Sequence, residues 1–227
     1  MRIVVAGAHG QIARRLARLL SARGDTVVGI VRNPGHDSDV RADGADPMVL
    51  DLESAAVEDV AGVLTGADAV VFAAGAGPGS GTARKDTVDR GAAVLLADAA
   101  ERSGVGRYLL VSSMGVDAVA DGATPDGIDE VFLAYLRAKL AAEQDVLGRA
   151  GLATAVLRPG GLTDDPGTGR VQLARHVQRG SVPRDDVAAV LVALLDAPAA
   201  GLLLELVGGE TPVGEAVAAA LRPDGRG

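Results

Sequence analysis

Tyr135 and Lys139 are the residues of this sequence whose types and spacing are best suited to chemistry. The chain has two tyrosines, at positions 108 and 135, and two lysines, at positions 85 and 139. Residues four apart share one face of a helix. A phenol with an ordinary pKa of about 10 exchanges protons poorly at neutral pH, but a nearby ammonium favours its ionised form. The pair therefore indicates a general acid/base, and the alternative is an aromatic side chain that packs on a sheet beside a solvated lysine.

A glycine turn near the N-terminus favours a phosphorylated ligand. Gly7, Gly10 and Ala13 follow a short apolar run and open a helical pattern, with the spacing G-x-x-G-x-x-A. In a dinucleotide fingerprint the first glycine permits a tight turn, the second lets the backbone approach a pyrophosphate, and the helix N-terminus attracts the phosphates. The predicted contacts of this turn are Gly7, His9, Gly10, Gln11 and Ile12. Any strand-to-helix turn can use two glycines, so the prediction depends on the position of the motif after the first strand.

Three later strand ends supply further candidates for the same ligand. Arg32 follows the second strand, where an NAD-binding protein usually carries an acidic residue, and a guanidinium suits a 2′-phosphate. We therefore expect NADP rather than NAD, and the alternative is a solvated surface arginine. Candidates that would flank the adenine or pass close to a ribose are Asp51, Leu52, Ala73, Ala74 and Gly75. Asp51 could equally be a helix cap.

The elements that must position these residues alternate between short apolar runs and segments of helical period. Strands are predicted at residues 3–6, 26–31, 48–50, 69–73, 108–112 and 153–157, all buried on both faces because none alternates between apolar and polar residues. Helices are predicted at residues 12–22, 55–64, 88–102 and 131–147. This order predicts an α/β Rossmann fold, a doubly wound parallel sheet with helices on both faces.

The C-terminal region departs from that alternation. After Gly160 the sequence predicts a short strand at residues 170–173, a helix at 185–195 and a strand at 202–207. Because about 65 residues without the βαβ pattern rarely form an independent core, we expect a single domain over residues 1–227. Residues 160–227 would include a small cap at the carboxyl edge of the sheet. Glycines 24, 104 and 151 follow three predicted helices as stop signals.

Four motifs in the same order resemble the short-chain dehydrogenase/reductase superfamily. They are Gly7-x-x-Gly10, Val111-Ser112-Ser113, Tyr135-x-x-x-Lys139 and Arg158-Pro159-Gly160. More narrowly, the chain resembles the short atypical members, the NAD(P)-binding, NmrA-like and flavin/biliverdin-reductase-like group, related to NAD-dependent epimerases and dehydratases. The resemblance runs from residue 1 to about residue 215.

The resemblance implies roles for the matched residues. Tyr135 would be the general acid/base, Lys139 would lower its pKa and hold the nicotinamide ribose, and Ser113 would be the catalytic serine. Ser112 is the alternative serine. The coenzyme contacts implied at this end are Ser112 and Lys139, and Arg158, Pro159 and Gly160 would line the nicotinamide.

One departure from the superfamily bears on turnover. The asparagine of its proton relay is absent, because the only asparagine of the chain is Asn33, and Asp89 stands nearest to that position. We therefore expect an NADP-dependent oxidoreductase that acts on a small carbonyl or alcohol, with two alternatives. One is a non-catalytic NADP-sensing regulatory protein, and the other is a sugar-nucleotide-type epimerase or dehydratase.

Composition narrows the partners. The net charge of −8 and the four aromatic residues disfavour nucleic acid, and no apolar run approaches a membrane span. The chain has no cysteine and only three scattered histidines, so we expect no metal site and assign any redox chemistry to a bound coenzyme. A cytoplasmic protein with a small-molecule substrate is expected, and no pattern predicts the oligomeric state.

Overall fold

The structure is a computed structural model that describes residues 1–77 and 79–222. The strands are β1 (Arg2–Ala6), β2 (Thr26–Val31), β3 (Asp46–Val49), β4 (Ala69–Phe72), β5 (Arg107–Val111), β6 (Ala153–Pro159), β7 (Gly161–Thr163), β8 (Arg170–Ala174), β9 (Ser181–Pro183), β10 (Leu202–Gly208) and β11 (Thr211–Pro212). The helices are α1 (Gln11–Arg23), α2 (Asp37–Ala42), α3 (Val57–Leu64), α4 (Thr82–Arg84), α5 (Ala93–Ser103), α6 (Glu130–Leu147), α7 (Arg184–Asp196) and α8 (Val213–Ala220). A π-helix over Lys85–Ala92 joins α4 to α5, and 3₁₀ turns lie at Pro34–His36 and Val116–Gly122.

Nine strands form one twisted sheet in the order β11-β8-β10-β6-β5-β4-β1-β2-β3. The pairs from β10 to β3 are parallel, whereas β8 runs antiparallel to both β10 and β11. The chain starts in the middle of the sheet at β1 and adds β2 and β3 on one side. It then crosses to the other side of β1 and adds β4, β5 and β6 there. The sheet is therefore doubly wound, as the sequence predicts.

Helices cover both faces of the sheet, and each face has its own apolar core. Alternate residues of β1 divide between them: Ile3 and Val5 pack with α1 and α7, while Val4 and Ala6 pack with α3, α5 and α6. Removing the side chains of Ile3, Val4 and Val5 from water contributes about 1.5–3 kcal/mol each. This two-sided burial explains why the central strands read as continuous apolar runs.

The two outer strands differ from the central ones. The sequence predicts that the third strand is buried on both faces, which is wrong, because β3 is an edge strand whose Met48 and Val49 are 41% and 45% exposed. Proline occurs in both outer strands, at Pro47 in β3 and at Pro212 in β11. An edge position tolerates proline because no strand beyond it needs the missing N–H.

The region after Gly160 divides into two parts. α7, β8, β10 and β11 extend the main sheet and its helical layer, since α7 packs beside α1 and β10 pairs with β6. β7 and β9 form a separate two-stranded parallel sheet just after the carboxyl end of β6. The cap at that edge is thus smaller than the predicted region.

Two of the three glycines predicted to end helices do so. Gly24 and Gly104 take left-handed conformations, with φ of 92° and 74°, directly after α1 and α5. The third prediction is wrong, because α6 ends at Gly148, which stays right-handed at φ −74°, rather than at Gly151. Within residues 1–77 and 79–222, no helix combines the length and the apolar character needed to cross a membrane.

Candidate nucleotide site and reacting edge

The turn after β1 has the geometry that a phosphate-binding loop requires. Gly7 has a φ of +79°, and a Cβ added there would lie 2.6 Å from the Cα of Ala74, so a side chain is excluded by both strain and space. Gly10 precedes α1 in extended conformation, and no side chain caps the helix. The N–H groups of its first turn therefore remain available to an anion.

A cavity of about 370 Å³ opens at the carboxyl ends of β1 to β4. It is large enough for part of a dinucleotide. The predicted site residues that line it are Gly7, His9, Gly10, Arg32, Asp51, Leu52, Ala73, Ala74 and Gly75. Lining residues that sequence reasoning did not select include Asn33, His36, Glu53, Ala76, Arg84 and Val88. The glycine turn and three later strand ends thus meet at one place, and the absence of side chains at Gly7 and Gly10 fits the close approach of the pyrophosphate of a pyridine dinucleotide.

Other predicted contacts do not line this cavity. Ile12 is buried in the apolar core beneath α1, and the side-chain oxygen of Gln11 accepts a hydrogen bond from Arg15 at 2.8 Å. Gly160 packs so closely against Gly180 that a Cβ added at Gly160 would collide with the Gly180 carbonyl oxygen. The remaining members of this group are Ser112, Lys139 and Pro159, which belong to the adjacent edge formed by β5, β6 and α6.

Arg32 is engaged by an acidic neighbour. Its Nη1 donates to Glu53 Oε2 at 2.8 Å, and Arg84 Nη2 donates to the same oxygen at 2.7 Å. The hydrogen bond from Arg84 is the main cause that holds the pKa of Glu53 below its ordinary value, and the same carboxylate raises the pKa of Arg84. The cavity therefore has two guanidinium groups on one wall, and both are already paired.

Two histidines stack on another wall of the cavity. The rings of His9 and His36 are parallel within 10° at a centroid distance of 3.6 Å. His9 Nε2 lies 2.9 Å from an oxygen of Asp39, and this contact is the main cause of the lowered pKa of Asp39. His9 is thus held by residues outside the glycine turn itself.

The Tyr135 and Lys139 pair lies on α6 beside the end of β5. Lys139 is 3% exposed, and its Nζ donates to the carbonyl of Val111 at 3.0 Å. The same Nζ lies 3.3 Å from Asp89 Oδ1 and 5.8 Å from the centroid of the Tyr135 ring. The lysine is therefore a buried cation with an anionic partner, and the alternative of a solvated lysine is wrong.

Asp89 connects this lysine to the cavity. It is fully buried on the π-helix, and its Oδ2 accepts the backbone N–H of Ala76 at 3.2 Å. Ala76 lines the cavity next to Gly75, where an added Cβ would lie 3.2 Å from Asp89 Oδ1. Asp89 thus links Lys139, at the edge formed by β5, β6 and α6, to the loop after β4.

Lys85 is a residue that sequence reasoning missed. Its Nζ donates to the carbonyl of Gly77 at 3.0 Å and lies 5.5 Å from the centroid of the Tyr135 ring. Both lysines of the chain therefore flank the same tyrosine. The scarcity of lysine was the available signal, but a separation of fifty positions in sequence hides the contact.

The two serines at the end of β5 differ in their hydrogen bonds. Ser113 Oγ donates to the carbonyl of its neighbour Met114 at 3.1 Å. Ser112 Oγ is buried and has no partner in the part of the chain that the structure describes. A buried hydroxyl without a partner is costly unless a ligand satisfies it, so Ser112 is well suited to contact a bound molecule.

Arg158 takes part in ion pairs within the protein. It is buried, and its guanidinium makes a bidentate contact with Glu143, whose Oε1 and Oε2 accept at 2.9 and 2.5 Å. It also donates to Asp117 in the 3₁₀ turn at 2.7 Å. Burial lowers the pKa of Arg158, but the hydrogen bonds to Glu143 and Asp117 outweigh it and the pKa is raised. This network fixes α6 and the loop after β5 against β6.

One cluster of potential metal ligands exists among residues 1–77 and 79–222. Oxygen and nitrogen atoms of Asp117, His176 and Glu205 lie within 4.8 Å of one another. Asp117 is already paired with Arg158, and Glu205 accepts the N–H of Val177 at 2.9 Å. These carboxylates therefore have protein partners.

The doubly wound sheet, the glycine turn before α1 and the cavity above β1 to β4 define a dinucleotide-binding protein of Rossmann type. The chain belongs to the NAD(P)H-binding family, whose model matches residues 7–198. The expected kinship with NAD(P)-binding proteins is confirmed.

Three known proteins illustrate the similarity. The chain is 32% identical over 219 residues to the uncharacterized sugar epimerase YhfK of Bacillus subtilis, covering 96% of this chain and 99% of that protein. It superposes on a putative NAD-dependent epimerase/dehydratase from Bacillus halodurans with a TM-score of 0.86 and 33% identity, covering 96% of this chain and 99% of the other. It also superposes on ChuY, an anaerobillin reductase from Escherichia coli O157:H7, with a TM-score of 0.73 and 26% identity over 92% and 97% of the two chains.

Proposed function

We propose that this protein is an NADP(H)-dependent oxidoreductase that acts on a small carbonyl or alcohol substrate. The observation that carries the proposal is the position of Tyr135, which is half-buried beside the loop that leads from the nucleotide cavity. The ammonium groups of Lys85 and Lys139 lie 5.5 and 5.8 Å from the centroid of its ring. A phenol near two cations is suited to exchange a proton with a substrate oxygen. A similar reductase, ChuY, supports the reaction class.

The residues divide into two groups by task. The glycine turn and the N–H groups of α1 would hold the pyrophosphate, and Arg32 with Arg84 would hold a 2′-phosphate. The bound coenzyme would supply or accept the hydride. Tyr135 would give the substrate oxygen its proton, and the free hydroxyl of Ser112 or that of Ser113 would orient it. Lys139, fixed by Asp89 and Val111, would position the tyrosine.

Calorimetry and turnover together test this proposal. We expect purified protein to bind NADPH and NADP⁺, and we expect a screen of carbonyl compounds to show NADPH oxidation that Tyr135→Phe reduces by about 10²–10⁴-fold, the range of general acid–base catalysis. Binding of NADPH should be nearly unchanged in that variant, since the phenol contacts the substrate. A chain that binds neither pyridine dinucleotide contradicts the proposal as a whole.

A second candidate function is a coenzyme-sensing binding protein. Asp89 favours it, because a carboxylate 3.3 Å from Lys139 offsets the positive charge that would otherwise act on Tyr135. Tight NADPH binding without turnover, retained in Tyr135→Phe, would select this candidate. Asp89→Asn separates the two further, since it returns an amide to the relay position and should raise turnover only in an enzyme.

A third candidate is a sugar-nucleotide-type epimerase or dehydratase. It is supported by the similarity to the B. halodurans epimerase/dehydratase and to YhfK. Such a reaction returns the hydride to the substrate and leaves the coenzyme unchanged overall. Product formation from a sugar nucleotide without net NADPH oxidation would therefore favour it over the oxidoreductase.

A further inference from the structure

Glu53 joins three segments of the chain along one wall of the cavity. Its Oε2 accepts hydrogen bonds from Arg32, after β2, and from Arg84, at the end of α4. Its Oε1 accepts from the hydroxyl of Thr87 on the π-helix at 2.7 Å, and from Arg84 Nε at 3.4 Å. The carboxylate therefore uses both oxygens, and the contact with Arg84 is bidentate.

The charges on this wall are balanced before any ligand binds. Arg32 and Arg84 supply two positive charges, and Glu53 and Asp51, which also line the cavity, supply two negative charges. The hydrogen bond with Glu53 and, to a smaller extent, the charge of Asp51 raise the pKa of Arg84. Asp51 also accepts the backbone N–H of Glu53 at 3.1 Å. A phosphate that approaches the two arginines thus meets groups whose charge is already compensated.

A phosphate and Glu53 need the same hydrogen-bond donors. A guanidinium carries donors in a fixed fork, and the forks of both arginines now face one carboxylate. A 2′-phosphate that uses them must displace Glu53 or accept its repulsion at close range. A ribose with a free 2′-hydroxyl carries no charge and avoids that repulsion.

We propose that Glu53 sets the coenzyme preference, because its carboxylate competes with the 2′-phosphate of NADP for Arg32 and Arg84 and leaves NAD unaffected. The inference rests on the proposed function, since it concerns the coenzyme of the same cavity. Glu53 lowers the affinity for NADP and therefore reduces the selectivity for NADP over NAD that the two arginines create. The lowered pKa of Glu53 keeps the carboxylate charged at neutral pH, so the competition operates there.

The test is a comparison of two dissociation constants in one variant. Glu53→Gln keeps the length of the side chain and one oxygen that can accept from both arginines as Oε2 does, while its amide NH2 group can donate to the Thr87 hydroxyl, and it removes the charge. Calorimetry should show that NADP⁺ binds about tenfold more tightly, because one negative charge near its 2′-phosphate is lost. The affinity for NAD⁺ should change by less than about twofold. Glu58→Gln is the matched control, because Glu58 pairs with Arg102 at 3.2 Å and does not line the cavity.

The arginine partner provides a second arm. Arg84→Gln should weaken NADP⁺ binding with little effect on NAD⁺, and the gain from Glu53→Gln should shrink when it is made in the Arg84→Gln background. A circular-dichroism melt of each variant checks that the fold is kept.

The remaining outcomes overturn the inference. Selective loss of NADP⁺ affinity in Glu53→Gln would mean that the carboxylate positions the arginines, and loss of NAD⁺ affinity would mean that it binds the ribose hydroxyls. An unchanged ratio of the two constants would also refute it while leaving the proposed function intact. If the unaltered protein binds neither coenzyme, both the inference and the proposed function fail.

Discussion

Replacing Lys139 with methionine should cost the fold far more than replacing Tyr135 with phenylalanine. The ammonium of Lys139 makes two contacts inside the protein, with the Val111 carbonyl at 3.0 Å and with Asp89 at 3.3 Å. Asp89 is fully buried, so the variant leaves a carboxylate whose remaining protein donor is the N–H of Ala76. The side chain of Lys139 therefore has a structural task whatever its role toward a ligand.

The magnitude follows from that burial. Removing one partner of a buried ion pair costs about 3–5 kcal/mol, a large share of the roughly 5–15 kcal/mol that stabilises a typical protein. With a urea slope of about 3 kcal/mol/M, the unfolding midpoint should fall by about 1–2 M. Tyr135→Phe should shift it by less than about 0.3 M, because Tyr135 is only partly buried and the contacts it makes with Phe132 and the two lysines involve its ring, which phenylalanine keeps.

Urea denaturation followed by circular dichroism measures both variants, and a double variant isolates the pair. Lys139→Met combined with Asp89→Leu removes both charges and fills their space with apolar atoms, so it should recover at least half of the lost stability. Two results would refute this reasoning. One is a midpoint shift below about 0.3 M in Lys139→Met, and the other is a double variant as unstable as the sum of the single ones.

Three further predictions concern other parts of the molecule. Gly7→Ala should abolish coenzyme binding in a calorimetric titration, whereas Gly66→Ala, at a similar φ of +71° but with open space around it, should only lower the melting temperature. In Tyr135→Phe the single remaining tyrosine is Tyr108, whose pKa burial raises well above 10.0. The folded variant should therefore show no tyrosinate absorbance until it unfolds, and its stability should decline as the pH rises above about 10, because the unfolded chain ionises first. Arg158→Met should lower the unfolding free energy by about 3–5 kcal/mol in urea, since it leaves a fully buried carboxylate without its guanidinium.

The order of strands and helices followed from the sequence because each central strand is buried on both faces. Such strands appear as uninterrupted apolar runs, and glycine at the first turn has a steric cause that depends on nearby backbone. The prediction that the third strand is buried on both faces is wrong because an apolar run, such as that around Met48, also occurs in an exposed edge strand. The sequence pattern shows which residues are apolar, but the position of a strand in the sheet determines whether neighbouring strands and helices bury them.

The polar contacts of the site were harder to predict. Glu53 meets Arg84 across thirty-one positions, and Lys85 meets Tyr135 across fifty, because β4 inserts next to β1 and brings the loop after it over the glycine turn. Long side chains on loops make these contacts, and neither spacing nor propensity encodes where their ends will meet. Residues on strand ends were found from sequence, and residues on the following loop were found from the structure.

The prolines at the two edges of the sheet reduce the capacity of those edges to pair with a further strand. A nine-stranded layer ends in open rows of amide donors and carbonyl acceptors, which invite a foreign strand to add on. Pro47 removes a donor from one rim and Pro212 from the other. Each edge is thereby a poorer template for a further strand than an edge with every amide donor in place.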